Sequence, residues 1–228
     1  MELVEQLKKL TLEWKEYMHK NTTVISIDGN VNAGKTSLLK AIVFMNNLLN
    51  IKYVPEHTDL LDPNIEESLS FIMLQEKYLN TELVKYDIIN NSSADLFLMD
   101  RSFISIFAHT LATTSRISKE RIFVVNKLCE LIESKRIIIP NCFVFFDVKY
   151  EVCINRYNNN HKAKGTSLDL VDPIYFNFLQ NFYREWVKLV GGHMISSHDE
   201  FQIDNLRYTS YDRLLIIDLI ENISKVNS

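Results

Sequence analysis

The stretch "IDGNVNAGKTSLL", Ile27 to Leu39, holds two glycines five residues apart, Gly29 and Gly34, and follows the second with Lys35 and Thr36. The chain has only five glycines, so spending two here asks for a reason. Residues Gly29, Asn30, Val31, Asn32, Ala33, Gly34, Lys35 and Thr36 fit G-x-x-x-x-G-K-[ST], a pattern that is meaningful only between a strand and a helix. That context is present. "TTVISID" (Thr22–Asp28) is short, β-branched and apolar, and "KTSLLKAIVFMNNLL" reads as a helix. Glycines let a loop turn its backbone N–H groups onto phosphate oxygens. The helix that opens at Lys35, Thr36 and Ser37 directs its N-terminal dipole at the same anion. Lys35 can reach the β- and γ-phosphates, and the Thr36 hydroxyl is a ligand for Mg²⁺. The stretch reads as a nucleotide-binding loop, with ATP and Mg²⁺ as its expected occupants.

Outward from this loop, strands and helices alternate. "IKYVPE" (Ile51–Glu56), "ADLFLMD" (Ala94–Asp100) and "CFVFFD" (Cys142–Asp147) read as further strands, and "GGHMISSHDEFQID" contains a last one. Helices are expected over residues 2–19, Ile65–Ile89, Ile104–Thr113, Lys119–Ser134, Glu151–Tyr157, Pro173–Val190 and Tyr211–Val226. Alternation of this kind predicts an α/β, three-layer fold with a parallel sheet of about five strands flanked by helices. With no repeat and no Pro/Gly-rich linker, residues 1–228 are expected to form one domain. Ligands in such sheets bind beyond the carboxyl ends of the strands, and Asp28, Glu56, Asp100 and Asp147 all stand at predicted carboxyl ends.

Composition excludes several alternatives. The chain is 46% hydrophobic and 24% charged, with a net charge of −4 that gives no general attraction to nucleic acid or acidic membranes. No run approaches the ~20 apolar residues that span a bilayer, and the opening residues lack a signal-peptide pattern. Three cysteines (Cys129, Cys142, Cys153) fit neither a disulfide framework nor a zinc site, and suit a reducing, cytoplasmic setting. Leu3, Leu7, Leu10, Trp14 and Tyr17 form a helical stripe that either packs on its own domain or serves as a homodimer face.

A phosphate loop does not define a reaction. A guanine-reading Asn-Lys-x-Asp is absent: the nearest match, "NKLC" at Asn126–Cys129, lacks the acid. No D-x-x-G switch and no second module are present, which argues against a regulatory GTPase and an AAA-type machine. A small-molecule kinase remains. Glu56 in "VPEH" can orient a hydroxyl and take its proton. In "MDRS", Asp100 can hold Mg²⁺ through water, and Arg101 can stabilise charge on a transferring phosphoryl group.

Together these residues resemble the deoxynucleoside kinase family, which shares its fold with thymidylate kinases. "IDGNVNAGKTSLL" looks like that family's G-N-I-x-x-G-K-S-T loop, "VPEH" its V-x-E-P segment, and "DRS" its [ED]-R-S. "FIMLQEKYL" (Phe71–Leu79) is similar to the helix whose Gln pairs with the nucleobase, and "FLQNFYREW" (Phe178–Trp186) to a later L-H-x-x-Y-x-x-W. The resemblance implies phosphoryl transfer from ATP to the 5′-hydroxyl of a deoxynucleoside. It makes Glu56 the base, Gln75 the base reader and Arg156, Lys162 and Lys164 the cations of a lid at about residues 155–168. Two departures stand out: His57-Thr58-Asp59 replaces the usual Pro and nearby Trp, and the lid stretch Asn155–Gly165 carries no acids. A thymidylate-kinase-like monophosphate kinase is the alternative, since "DRSFISIFAH" resembles its D-R-Y-x-x-S. Its R-E-P-G-G is absent, and Glu82 and Lys85 stand where a phosphate-gripping arginine is expected. Another small alcohol as acceptor, and a P-loop protein that binds without catalysis, complete the alternatives.

Overall fold

A computed structural model describes residues 2–15, 22–45, 50–61, 69–113, 118–159 and 172–196. Five parallel strands form one sheet in the order β2-β3-β1-β4-β5: β1 (Thr23–Asp28), β2 (Ile51–Val54), β3 (Leu96–Asp100), β4 (Cys142–Asp147) and β5 (His193–Ser196). The described helices are α1 (Glu2–Lys15), α2 (Lys35–Met45), α3 (His57–Leu60), α4 (Phe71–Asn90), α5 (Phe103–Thr113), α6 (Lys119–Glu133), α7 (Tyr150–Asn159) and α8 (Pro173–Val190).

The central strands are unbroken apolar runs because both sheet faces are covered. Every residue of β3 and β4 is buried. Side chains alternate across the sheet, so β4 divides its residues between two cores. Phe143 and Phe145 pack with Phe103, Phe107, Val125 and Trp186 of the helices on one face. Cys142, Val144 and Phe146 join Ile25, Ile27, Leu38 and Leu39 on the other. The result is the expected three-layer architecture. Leu7 is fully buried and Leu10 packs against the same core, so this part of the N-terminal stripe is used within the chain. The side chains of Leu3, Trp14 and Tyr17 lie outside the described residues, as do residues 16–19 of the expected first helix.

Local signals account for the boundaries that differ from expectation. β2 stops at Val54 rather than Glu56, because Pro55 has no N–H to give the ladder. Glu56 then stands at the N-cap of the short helix α3, which the sequence reading missed, and its side chain makes no capping bond. Residues 65–68 of the helix expected from Ile65 lie outside the described residues; α4 begins at Phe71, where the Ser70 hydroxyl accepts from Met73 N at 3.4 Å. At α8, Asp172 caps the start with Pro173 following, and Gly191 ends the helix at φ 67°. The expected closing helix, Tyr211–Val226, lies outside the described residues.

Candidate active site

The loop between β1 and α2 shows why its glycines are needed. Gly29 has φ 144°, and a Cβ there would stand 2.7 Å from the Phe146 carbonyl oxygen of β4. Gly34 has φ 96°, and Asn32 between them is left-handed at φ 59°. Side chains at either glycine would strain the turn or strike the sheet. Lys35 lies beneath the loop, with Nζ donating to Asn30 O at 2.7 Å. Arg156, near the end of α7, donates to Ala33 O at 2.5 Å and Asn32 O at 3.4 Å, so its guanidinium reaches the loop. Lys162 and Lys164 lie outside the described residues. Val31 is half-buried and Ser37 is exposed on the first turn of α2.

The ends of β2 and β3 bring the other expected residues to this loop. The Thr36 hydroxyl donates to Asp100 Oδ2, and Tyr53 OH donates to the same oxygen at 3.2 Å. Asp100 Oδ1 is buried without a hydrogen-bond partner. A hydroxyl beside a carboxylate with a spare oxygen is a hard donor set that fits Mg²⁺. Arg101 Nε donates to Glu56 Oε2 at 3.1 Å, and its Nη1 donates to Gly29 O at 2.9 Å and Ser105 Oγ at 3.4 Å. Thr58, two residues beyond Glu56, donates to Glu56 Oε1 at 2.6 Å. Arg101 adopts φ 60°, a left-handed conformation that costs a residue with a Cβ about 1–2 kcal/mol.

Burial and charge set the ionisation of the group. Burial alone would raise the Glu56 carboxyl, but the Arg101 guanidinium, the Thr58 hydroxyl and the Lys35 ammonium outweigh it and bring it down to about 2. Burial, followed by the charge of Arg101, brings the Lys35 ammonium down to about 8 against the pull of Asp100 and Glu56. Burial raises Asp100, although Lys35 and the Thr36 hydroxyl oppose the shift. Neutralisation of Lys35 therefore begins within the physiological range, while Glu56 stays charged.

Two of the four strand-end carboxylates serve the framework. Asp28 accepts from Ser102 N and Ser102 Oγ, both at 2.9 Å, and from Ser105 Oγ at 2.7 Å. Asp147 receives Arg184 Nη2 at 2.8 Å and Gln180 Nε2 at 2.6 Å, tying α8 to β4. In the segment that resembles L-H-x-x-Y-x-x-W, Tyr183 and Trp186 are core residues, with Tyr183 OH 2.9 Å from Ser105 Oγ. Gln75 is buried on α4, where its Oε1 accepts from Thr110 Oγ1 of α5 at 3.3 Å. Nearby on α5, His109 Nδ1 lies 2.5 Å from Tyr175 OH. Sequence reasoning gave no role to Tyr53 or Thr58, which bond Asp100 and Glu56; only their closeness to Glu56 could have pointed to them. Lys85, which stands in sequence where a phosphate-gripping arginine is expected, is fully buried. Among the described residues no group of three or more His, Cys, Asp or Glu side chains is placed to hold a metal ion, and no helix is long and apolar enough to cross a membrane.

A parallel sheet with a glycine-bracketed phosphate loop, and with acid and guanidinium at adjacent strand ends, defines a P-loop phosphotransferase. The deoxynucleoside kinase family profile matches residues 25–223. The chain belongs to that family and is a kinase that phosphorylates nucleosides. No curated protein sequence matches it. Among solved structures, the deoxyadenosine kinase of M. mycoides with the products dCMP and dCDP superposes with a TM-score of 0.58 at 14% identity. That alignment covers 88% of this chain and 100% of the other. The same enzyme with bound dCTP gives 0.56 at 15% identity, with coverages of 88% and 100%. The thymidylate kinase of Candida albicans gives 0.62 at 12% identity, covering 91% and 94%. At these identities the structural likeness speaks to the fold.

Proposed function

We propose that this chain transfers the γ-phosphoryl group of ATP to the 5′-hydroxyl of a deoxynucleoside, with the roles carried by the residues gathered at the loop. The observation that carries this reading is the Glu56–Arg101 pair beside Thr36, Asp100 and Lys35. Loop amides from Gly29 to Thr36, with Lys35, hold the β- and γ-phosphates, and Arg156 closes on the loop from the lid. Thr36 and Asp100 would hold Mg²⁺, which would neutralise charge on those phosphates. Arg101 lies where charge on the moving phosphoryl group can be offset.

Glu56 is a weak base while Arg101 holds it near 2. Phosphoryl transfer through a loose transition state needs little proton removal before the new bond forms. Glu56 therefore acts first by accepting a hydrogen bond from the hydroxyl, and takes the proton as the phosphoryl group arrives. Gln75 reads the base edge. Lys85 is unavailable to grip an acceptor phosphate, which favours a nucleoside over a monophosphate as acceptor.

The proposal includes a single domain with a lid at about residues 155–168, of which the described residues include the stretch up to Asn159. It also puts the enzyme in the cytoplasm, a reading supported by three buried cysteine side chains. Leu7 and Leu10 are taken up by the chain's own core, so a homodimer built on that stripe is not part of it. An ATP-coupled phosphorylation screen across nucleosides and nucleoside monophosphates tests the acceptor. Turnover of deoxynucleosides is the expected result. Turnover of thymidine monophosphate alone would favour the alternative.

A further inference from the structure

Behind the active-site residues, three successive carbonyls at the end of β3 are held by side chains from α3 and α4. Lys85 Nζ donates to Asp100 O at 3.2 Å and to Arg101 O at 2.7 Å. His57 Nε2 lies 3.2 Å from Ser102 O, and a carbonyl can only accept, so this ring nitrogen is the donor. The amides of the same turn are held from β1. Arg101 N donates to Ile27 O at 3.1 Å, and Ser102 N to Asp28 Oδ1 at 2.9 Å. The turn contains the left-handed Arg101. A residue with a Cβ stays in that conformation only where its surroundings over-determine it.

The polar groups that do the holding are costly to bury. Lys85 and Glu82 are both fully inaccessible, with Lys85 Nζ 3.6 Å and His57 Nδ1 3.4 Å from Glu82 Oε1. Neither Glu82 oxygen has a hydrogen-bond partner of good geometry. Apolar residues of similar volume often serve a core at least as well as such a cluster. Stability is therefore a poor reason for its presence, and the contacts of Lys85 with the catalytic turn supply a better one.

Resting on the role given to Arg101 above, we propose that Lys85 is a positioning residue: by bonding the carbonyls of Asp100 and Arg101 it fixes the left-handed turn that aims the Arg101 guanidinium at Glu56 and the phosphate loop. Glu82 is its buried acidic partner, and His57 secures the next carbonyl. Gln75 lies on the same helix, so α4 both reads the acceptor and braces the turn opposite it.

The test removes both ions together, as Glu82→Gln with Lys85→Met, so that no unpaired charge stays buried. The pair is made in the wild-type and in the Arg101→Ala background. Circular dichroism and ATP titration are measured alongside kcat and KM. If Lys85 acts through Arg101, kcat falls about 10- to 100-fold in the wild-type background, with KM and ATP affinity changed less than about threefold. In the Arg101→Ala background the same pair costs less than about threefold. An unchanged kcat, or an equal loss in both backgrounds, overturns the proposal. A crystal structure of the variant gives a readout independent of turnover. Arg101 leaving the left-handed region and Nε leaving Glu56 supports the proposal, and an unaltered turn overturns it. A wild-type enzyme inactive on every nucleoside would sink the function above while leaving this structural test intact. Should the Met variant not fold, Glu82→Gln with Lys85→Gln keeps an uncharged amide donor group for the turn and should show an intermediate loss. Failure of both to fold would assign the cluster to stability and overturn the proposal.

Discussion

Glu56 and Arg101 are 45 residues apart in the chain, yet Arg101 Nε donates to Glu56 Oε2 at 3.1 Å. The pair joins the ends of two adjacent parallel strands, β2 and β3. It keeps the acid ionised and the guanidinium aimed at the loop, and it couples the acidity of the site to the position of Arg101.

Glu56→Gln keeps the shape and removes the charge. A positioned base is typically worth about 10²–10⁴-fold in rate, so kcat should fall within that range while ATP affinity is largely kept. The pair also determines the acid side of the pH profile. With its carboxyl near 2, Glu56 remains charged as pH falls through the ordinary carboxylate range. Loss of kcat/KM with an apparent pKa near 4.5 that disappears in Glu56→Gln would contradict this arrangement.

Lys35→Ala should abolish most turnover and leave the fold intact, because its ammonium serves phosphate charge rather than the core. Its pH dependence has the opposite sense to that of Glu56. With Lys35 down to about 8, the charged form is lost as pH rises through that value. In the free enzyme kcat/KM for ATP should fall above about pH 8, whereas kcat at saturating ATP should fall less, because bound phosphate favours the ammonium. Initial rates from about pH 6 to about pH 10 at limiting and saturating ATP separate the two.

Gly29→Ala places a Cβ 2.7 Å from the Phe146 carbonyl oxygen at φ 144°. The loop must shift away from β4 and takes Gly29 O from Arg101 Nη1, to which it is bonded at 2.9 Å. ATP affinity should drop at least about tenfold, the cost of roughly 1.4 kcal/mol of lost loop geometry. Thermal unfolding should change little compared with that loss. Isothermal titration of ATP beside a melting curve checks both.

Gln75→Ala should weaken discrimination among bases more than it weakens ATP binding. A site built to hydrogen-bond a substrate edge loses selectivity when the partner is removed. The ratio of kcat/KM between deoxynucleosides, compared with ATP affinity, provides the measurement. Equal selectivity in the variant would remove Gln75 from the acceptor site.

The phosphate loop, the buried strands and the order of layers were legible in the linear chain because their physics is local. A phosphate grip needs consecutive N–H groups, a turn needs glycine at Gly29 and Gly34, and a doubly covered strand such as β4 needs an apolar run. Pro55 and Ser70 likewise announce the ends of β2 and the start of α4, although the expected boundaries overran both. Which carboxylates belong to the site was not local. Asp28, Glu56, Asp100 and Asp147 look alike in sequence, but Ser102 and Ser105 occupy the first and Arg184 the last, from segments far along the chain. Lys85 carries the same lesson. In sequence it is a helical cation near the place expected for a phosphate-gripping arginine; in the fold it lies inside, because Glu82 on its own helix and the carbonyls of Asp100 and Arg101 at the end of β3 replace its water. A charge can be buried only where such partners converge, and parallel strands bring their ends together only when the sheet is complete.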